Sequence, residues 1–264
     1  MPIKVLVSGT GKMGREVLAT ACREADLEPV GVLARAAREE YLSLPDGSGL
    51  VPFSADPAGL FTRTRPDVIV DFTDAEYTPV VAREALEAGA RLVIGTSGLS
   101  EAFLHELERE CRERKLGAVV ASNFALGAVL MTHLAKLAAR FFDHAEIIEM
   151  HHEGKVDSPS GTAISTAHRM AEGRETPFQA VPPQKETIEG ARGGKADGVP
   201  IHSVRLPGLV AHQAVIFGGT GETLTIRHDS SSHEAFMPGV VLAVREVMER
   251  QEAVFGLERL AGLE

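Results

Sequence analysis

Along the first half of this chain, short apolar runs alternate with amphipathic stretches. Ile3-Lys-Val-Leu-Val7 predicts a strand, and Gly9-Thr-Gly-Lys-Met-Gly14 then opens a helix that runs to about Glu24. Val30-Gly-Val-Leu33 predicts a second strand. Asp67-Val-Ile-Val-Asp-Phe72 is almost continuously apolar, the pattern of a parallel strand covered on both faces. A helix is expected over about Glu76–Ala88, a strand at Arg91–Ile94, an amphipathic helix over Glu101–Lys115 and a strand at Ala118–Ala121. Alternation of this kind over the first ~120 residues predicts an α/β fold, a Rossmann-like doubly wound parallel sheet.

The pattern then changes. A helix over Gly127–Phe142 and a strand over Ala145–Met150 are followed by an irregular segment, 173–198, rich in Gly, Pro and charge. Ile201–Leu206, Val210–Phe217 and Thr223–His228 alternate as strands joined by Gly-containing turns. These predict a smaller α+β domain with an open, mixed or mostly antiparallel sheet. A last helix spans about Glu234–Arg250. The boundaries that follow are 1–124, 125–232 and 233–264.

Composition narrows the function. The chain has 264 residues, 44% hydrophobic and 24% charged, an ordinary globular profile with room for one large or two ordinary domains. A formal net charge of −10 speaks against a general nucleic-acid partner, and the absence of Trp with only two Tyr speaks against stacking platforms for single strands. Both cysteines, Cys22 and Cys111, fall inside predicted helices and read as free thiols of a reducing compartment. No apolar run approaches the ~18 residues of a membrane span, and the first residues carry no basic-then-apolar leader, so a cytoplasmic protein without a membrane partner is expected.

Two regions carry candidate chemistry. In the first, Gly9-x-Gly11-x-x-Gly14 lies between a strand and a helix, the context of a dinucleotide pyrophosphate loop. Gly9, Thr10, Gly11, Lys12, Met13 and Gly14 are thus candidate cofactor contacts. The acid that would receive a free ribose 2′-hydroxyl at the end of the second strand is missing, and Arg35 stands there with Arg38 beyond it. Arg35 reads either as a 2′-phosphate contact, so that NADPH binds at least as well as NADH, or as a solvated loop arginine. Gly95-Thr96-Ser97-Gly98 and Ser122-Asn123-Phe124-Ala125 follow predicted strands, where ligands bind in open α/β sheets. Their small residues and amide suit a nicotinamide ribose and carboxamide.

The second region is Glu146-Ile-Ile-Glu-Met-His-His-Glu-Gly-Lys-Val-Asp-Ser-Pro-Ser-Gly-Thr162. A strand stops at His151 and His152, Lys155 follows, and a helix starts at Ser160-Gly161-Thr162. Helix starts bind anions through N–H groups that lack partners, so a proton donor, a cation and an anion pocket lie together. The spacing suits no common metal motif. A structural histidine pair remains an alternative. Asp157 reads more readily as a turn former than as an orienting partner of Lys155. Glu149 and Glu153 are either solvated or raise a neighbouring histidine pKa.

Taken together, these residues resemble the 4-hydroxy-tetrahydrodipicolinate reductase (dihydrodipicolinate reductase) family of the diaminopimelate and lysine pathway. The likeness covers essentially the whole chain. It includes Val7–Gly14, Asp71-Phe-Thr73, Gly95–Gly98, Ser122–Gly127, Glu149–Thr162 and Ile201-His-Ser-Val-Arg-Leu-Pro-Gly208. The resemblance implies that His151 is the catalytic acid/base and Lys155 a second proton donor and carboxylate partner. It implies that His152, Ser160, Gly161 and Thr162 bind a small dicarboxylate substrate. Residues 9–14, 95–97 and 122–125 would hold NADPH and/or NADH. A dinucleotide-binding domain, a substrate-binding and oligomerisation domain whose open sheet builds a homotetramer, and a final helix returning to the first domain are implied as well. Closure about 125–127 and 230–233 is expected on ligand binding. Two positions depart from the family: Arg35, where many members carry an acid, and His233, where many carry Arg. The rival readings are a non-catalytic nicotinamide-nucleotide sensor and another Rossmann oxidoreductase acting on an amino-acid intermediate.

Overall fold

The computed structural model describes residues 1–179 and 181–263. They divide into two units, Met1–Phe124 with Phe236–Glu264, and Ala125–Ala235.

In the first unit, strands β1 (Ile3–Ser8), β2 (Leu27–Leu33), β3 (Tyr41–Ser43), β4 (Leu50–Ser54), β5 (Val68–Asp71), β6 (Arg91–Ile94), β7 (Ala118–Val120) and β13 (Ala253–Phe255) form one sheet. Their order is β13-β7-β6-β5-β1-β2-β4-β3. All neighbours are parallel except β3 and β4. β1 lies between β2 and β5, so the chain reverses its winding direction there, and ligands bind at such a switch point outside the strand ends. Helices α1 (Lys12–Arg23), α2 (Pro57–Thr64), α3 (Thr78–Glu87) and α4 (Glu101–Arg114) are the crossovers. Leu6, Ile69, Leu92 and Ile94 of the sheet are wholly buried against Phe61, Val81 and Leu107 of three of those helices. Helix α7 (Met237–Val247) and β13 belong to this unit, and Arg245 reaches Asp26 at 2.8 Å and Glu24 at 2.7 Å.

The second unit carries α5 (Leu126–Ala138), β8 (His144–His151), α6 (Gly161–Glu172), β9 (Gly194–Ala196), β10 (Val199–Arg205), β11 (Ala211–Gly219) and β12 (Glu222–Ser230). The sheet order is β12-β11-β8-β10-β9. It is mixed: β8 runs parallel to β10 and antiparallel to β11. Alternation along β8 decides its two faces. Ala145, Ile147 and Glu149 are buried, and the intervening Glu146, Ile148 and Met150 are half-buried. Ala135 and Ala139, with Ala163, Ala167 and Met170 of α6, pack onto Ile147, Ile201, Val215 and Phe217. Small helix residues let both helices lie close to the sheet.

Five elements were not foreseen. β3 and β9 are three residues long, too short for a period, and β13 follows a turn after the last helix. β4 contains Pro52 and α2 contains Gly59, residues that weaken a strand and a helix signal respectively. The last helix begins three residues late because a 3-10 turn, His233–Phe236, precedes it.

Candidate active site

The loop between β1 and α1 is shaped by its glycines. Gly9 has φ 111°, a conformation costly for any side chain, and a Cβ there would lie 2.8 Å from the Phe72 carbonyl oxygen. A Cβ on Gly14 would lie 2.0 Å from the Gly9 carbonyl oxygen, so α1 can approach the loop only because the position is bare. Gly11 is different: nothing lies within 4 Å of its would-be Cβ. Gly11 caps α1 without a side-chain hydrogen bond, leaving the first amides of the helix available to an anion. Thr10, Gly11 and Lys12 are exposed, Met13 is half-buried, and the buried Ser8 hydroxyl just before the loop has no partner. These features fit a dinucleotide pyrophosphate.

The contrast between the glycines gives a test. Gly14→Ala is expected to lower stability by about 1–3 kcal/mol, read from the denaturant midpoint. Gly11→Ala is expected to leave the midpoint unchanged while weakening NADH binding about tenfold or more, the worth of one charge-assisted hydrogen bond.

Next to this loop lies a buried carboxylate that the sequence did not mark as part of a site. Asp71 is fully buried at the end of β5 and accepts hydrogen bonds from the hydroxyls of Thr78 (2.5 Å), Thr73 (2.9 Å) and Thr96 (3.0 Å). Thr96 Oγ1 also accepts from the Thr73 amide at 3.1 Å. The Thr96 hydroxyl is therefore spent on the scaffold, tying the loop after β6 to the loop after β5. Gly95 completes the tie, since a Cβ there would sit 2.0 Å from the Phe72 ring. Ser97 is exposed. In the loop after β7, Ser122 is exposed and Asn123 half-buried, but Phe124 is core: it is 1% exposed and meets Phe72 edge-on with ring centroids 5.6 Å apart. Ala125, also buried, caps α5.

Arg35 is not a bare cation. Its guanidinium reaches Asp74 at 2.5 Å and Glu76 at 3.6 Å, and lies 5.4 Å from the Tyr77 ring centroid. Asp74 is itself fixed, accepting from the amides of Glu76 (3.0 Å) and Tyr77 (3.1 Å). Loss of surrounding water pushes the Asp74 carboxyl up, but those amides and Arg35 outweigh it, and it stays below its ordinary value. Arg38 is exposed.

In the second unit, β8 ends on His151. Residues two apart share a strand face, so Glu149 and His151 lie side by side, and His151 Nδ1 is 2.5 Å from Glu149 Oε2. Arg205 pairs in register with His151 across β8 and β10, which puts its side chain on that face too. Its fork donates to both oxygens of Glu149, at 2.9 and 2.8 Å. Glu149 is fully buried and also accepts from the Ser160 amide at 3.2 Å. Burial pushes the Glu149 carboxyl up, and Arg205 foremost among its partners reverses this, so the net shift is downward. For His151 burial lowers the pKa, Glu149 raises it, Lys155 and Arg205 lower it again, and the imidazole ends below its usual value.

Lys155 donates to Asp157 at 2.6 Å, so of the two readings of Asp157 the contact favours the partner of Lys155 over the preferred turn former. His152 is exposed on the turn. Ser160 caps α6, its hydroxyl accepting from the Ala163 amide at 3.2 Å, and Gly161 and Thr162 supply the first amides of the helix. The Thr162 carbonyl accepts from Thr166 (2.8 Å), whose hydroxyl accepts from Gln213 (2.9 Å), so the first turn is braced from β11. One short stretch of backbone thus presents an imidazole, an ammonium group and an anion pocket. Among the described residues, no group of three or more His, Cys, Asp or Glu is placed to hold a metal ion.

Fold and site define a Rossmann-type nucleotide-binding oxidoreductase whose second unit carries a histidine held by a buried carboxylate. Residues 3–124 match the family described as dihydrodipicolinate reductase, N-terminus, and residues 127–260 match dihydrodipicolinate reductase, C-terminus. The chain belongs to the dihydrodipicolinate reductase family. It is 50% identical over 263 residues to 4-hydroxy-tetrahydrodipicolinate reductase of Dehalococcoides mccartyi, covering 99% of both chains. It is 48% identical to the enzyme of that name from Moorella thermoacetica, covering 98% of this chain and 97% of that one. The solved structure of dipicolinate-bound dihydrodipicolinate reductase from Paenisporosarcina sp. TG-14 superposes with a TM-score of 0.88 at 44% identity, over 98% and 99% of the two chains. An amine dehydrogenase from Mycobacterium smegmatis, 16% identical with a TM-score of 0.69 over 98% and 96%, shares the fold.

Sequence reasoning singled out the histidines, Lys155 and the glycine loop, and the structure brings His151, Lys155 and the α6 start into one short stretch. It left Glu149 open, read Thr96 as a cofactor contact rather than a scaffold hydroxyl, and assigned no role to Arg205, Asp71, Asp74, Thr73 or Thr78. Strand period two from His151 points to Glu149. The other residues carry no comparable local signal.

Proposed function

We propose that this chain catalyses the NAD(P)H-dependent reduction of 4-hydroxy-tetrahydrodipicolinate to tetrahydrodipicolinate in the diaminopimelate and lysine pathway. The observation that carries the reading is the grouping of His151, Lys155 and the Ser160–Thr162 helix start, each held by its own hydrogen bond. Lys155 and the amides of Gly161 and Thr162 clamp a substrate carboxylate through charge-assisted bonds, with His152 and the Ser160 and Thr162 side chains around it. Fixing the ring in this way supplies a large share of the catalysis. His151, with Nδ1 committed to Glu149, gives up a proton from Nε2, and Lys155 is the second donor. The bound nicotinamide supplies the hydride. Residues 9–14, 95–97 and 122–125 hold that cofactor, Phe124 through its backbone.

The test couples the purified chain to a synthase that forms the cyclic substrate from aspartate semialdehyde and pyruvate, and follows loss of reduced-nicotinamide absorbance. Substrate-dependent oxidation is expected. Cofactor binding without turnover would favour a nucleotide sensor. The semialdehyde-dehydrogenase version of the rival needs a thiolate, and burial pushes the Cys111 thiol up to about 12 while Cys22 is also raised by burial.

We further propose that both cofactors are used, NADPH through Arg35. Arg35 and Asp74 are 52% and 51% exposed, so their pairing contributes little stability and yields readily to a 2′-phosphate. Arg35→Ala is expected to raise the NADPH KM about 10–100-fold, the loss of a charge-assisted contact. Asp74→Asn is expected to lower the NADPH KM and raise that for NADH. Unchanged KM values for both nucleotides in both variants would remove Arg35 from the cofactor site.

The chain is further proposed to form a homotetramer through the open face of the second sheet, where Ile148, Met150, Val204 and Ile216 are half-buried. Its place is proposed to be the cytoplasm, on two cysteines that are free. Among the described residues no helix is long and apolar enough to cross a membrane.

A further inference from the structure

We infer that Arg205 is a positioning residue for both halves of the reacting site: through Glu149 it sets the orientation and proton affinity of His151, and through the Asp157 carbonyl it holds the loop that carries Lys155. The inference rests on the reading of His151 and Lys155 as the proton donors.

The guanidinium stands at the centre of the network. Nη1 donates to Glu149 Oε2 and to the Val204 carbonyl at 2.7 Å. Nη2 donates to Glu149 Oε1 and to the Asp157 carbonyl, also at 2.7 Å. Glu149 turns its remaining capacity to His151 Nδ1 and the Ser160 amide. Asp157, whose backbone Arg205 grips, holds Lys155 through its side chain. One planar fork thereby reaches the imidazole, the helix cap and the ammonium group, each at one remove. A lysine could not do this, since its single ammonium lacks the bidentate geometry.

The electrostatics follow from the same contacts. Among the described residues, the charged groups that face His151 are Glu149 on its own strand, Arg205 on β10 and Lys155 on the loop. Glu149 favours the imidazolium, whereas Arg205 disfavours it directly and also draws the Glu149 charge to itself. Removing the guanidinium therefore raises the proton affinity of His151 on both counts, and removing the carboxylate lowers it. Opposite shifts from two variants that break one contact are what a merely structural pair would not produce.

The experiment measures kcat against pH for wild type, Arg205→Met and Glu149→Gln in the coupled assay. In parallel, the imidazole of His151 is titrated by nitrogen NMR in the full-length protein, its signal assigned by its absence in His151→Gln. Expected is a descending kcat limb that moves to higher pH in Arg205→Met and to lower pH in Glu149→Gln, with the NMR titration moving likewise. Arg205→Lys keeps the charge and loses one arm; it is expected to hold the limb near wild type while raising the substrate KM, and it serves where the other variants do not fold. Limbs and titrations that stay in place in Arg205→Met and Glu149→Gln, or move in the same direction, would overturn the inference, as would Arg205→Lys with both pH limb and KM unchanged. Absence of turnover in the wild type would instead overturn the catalytic reading, and the NMR titration would still report whether Arg205 and Glu149 govern His151.

Discussion

Replacing His151 with Gln is expected to lower kcat by about 10²–10⁴-fold with little change in KM for either ligand. The substitution keeps a polar group of similar reach beside Glu149, so the strand end should survive it. What it removes is a group able to lose and regain a proton near neutral pH. The His151 side chain is 14% exposed, and its Nδ1 is committed to Glu149 at 2.5 Å. Burial leads the downward shift of its pKa, so the imidazole of the free protein is largely neutral at neutral pH. A general acid with a lowered pKa works over a narrower range: kcat/KM, which reports the free protein, is expected to hold on the acid side and fall as pH rises through that lowered value. In His151→Gln the same profile is expected to lose this limb. A variant that kept either the wild-type kcat or the wild-type limb would show that the proton comes from elsewhere.

The second large effect belongs to Lys155. Lys155→Met is expected to reduce kcat/KM by about 10²–10⁴-fold, and unlike His151→Gln it is expected to raise the substrate KM as well. The side chain is 23% exposed and its ammonium group lies 2.6 Å from Asp157. That contact is the leading cause of the lowered Asp157 pKa. On the proposed reading, a substrate carboxylate entering beside the α6 start would exchange one anionic partner of Lys155 for another, so binding would be worth the difference between two charged contacts. Binding of dipicolinate, the ligand named with the Paenisporosarcina structure, separates the two roles. It is expected to weaken about tenfold or more in Lys155→Met, the worth of one charge-assisted bond, and to persist in His151→Gln. Equal binding in both variants would remove Lys155 from the carboxylate clamp.

Much of the architecture was legible because burial writes a period into the chain. Arg91–Ile94 was placed to the residue, since a strand covered on both faces is apolar throughout and ends where the covering ends. The glycine loop was legible because backbone approach leaves no alternative at Gly9 and Gly14. Phe124 was harder: its motif reads as a ligand loop, yet the aromatic ring fills space beside Phe72, and sequence alone does not distinguish a loop's backbone role from its side chain's packing. Arg205 was the least legible. Its meaning depends on β10 running parallel beside β8, a pairing of strands distant in the chain that no short pattern signals. Asp74 escaped for the same reason, since its partner Arg35 lies 39 residues away in the chain.

The separation of Glu149 from Arg205 bears on how the site comes into being. These residues are 56 apart in sequence, and β8 is complete well before β10 has been made. A nascent chain that stops short of Arg205 holds an acid destined for the interior with no counterion, which disfavours early burial of that strand end. The strand end that carries Glu149 and His151 is therefore expected to be among the last parts of its unit to close, and a chain truncated before Arg205 is expected to keep that end open and hydrated.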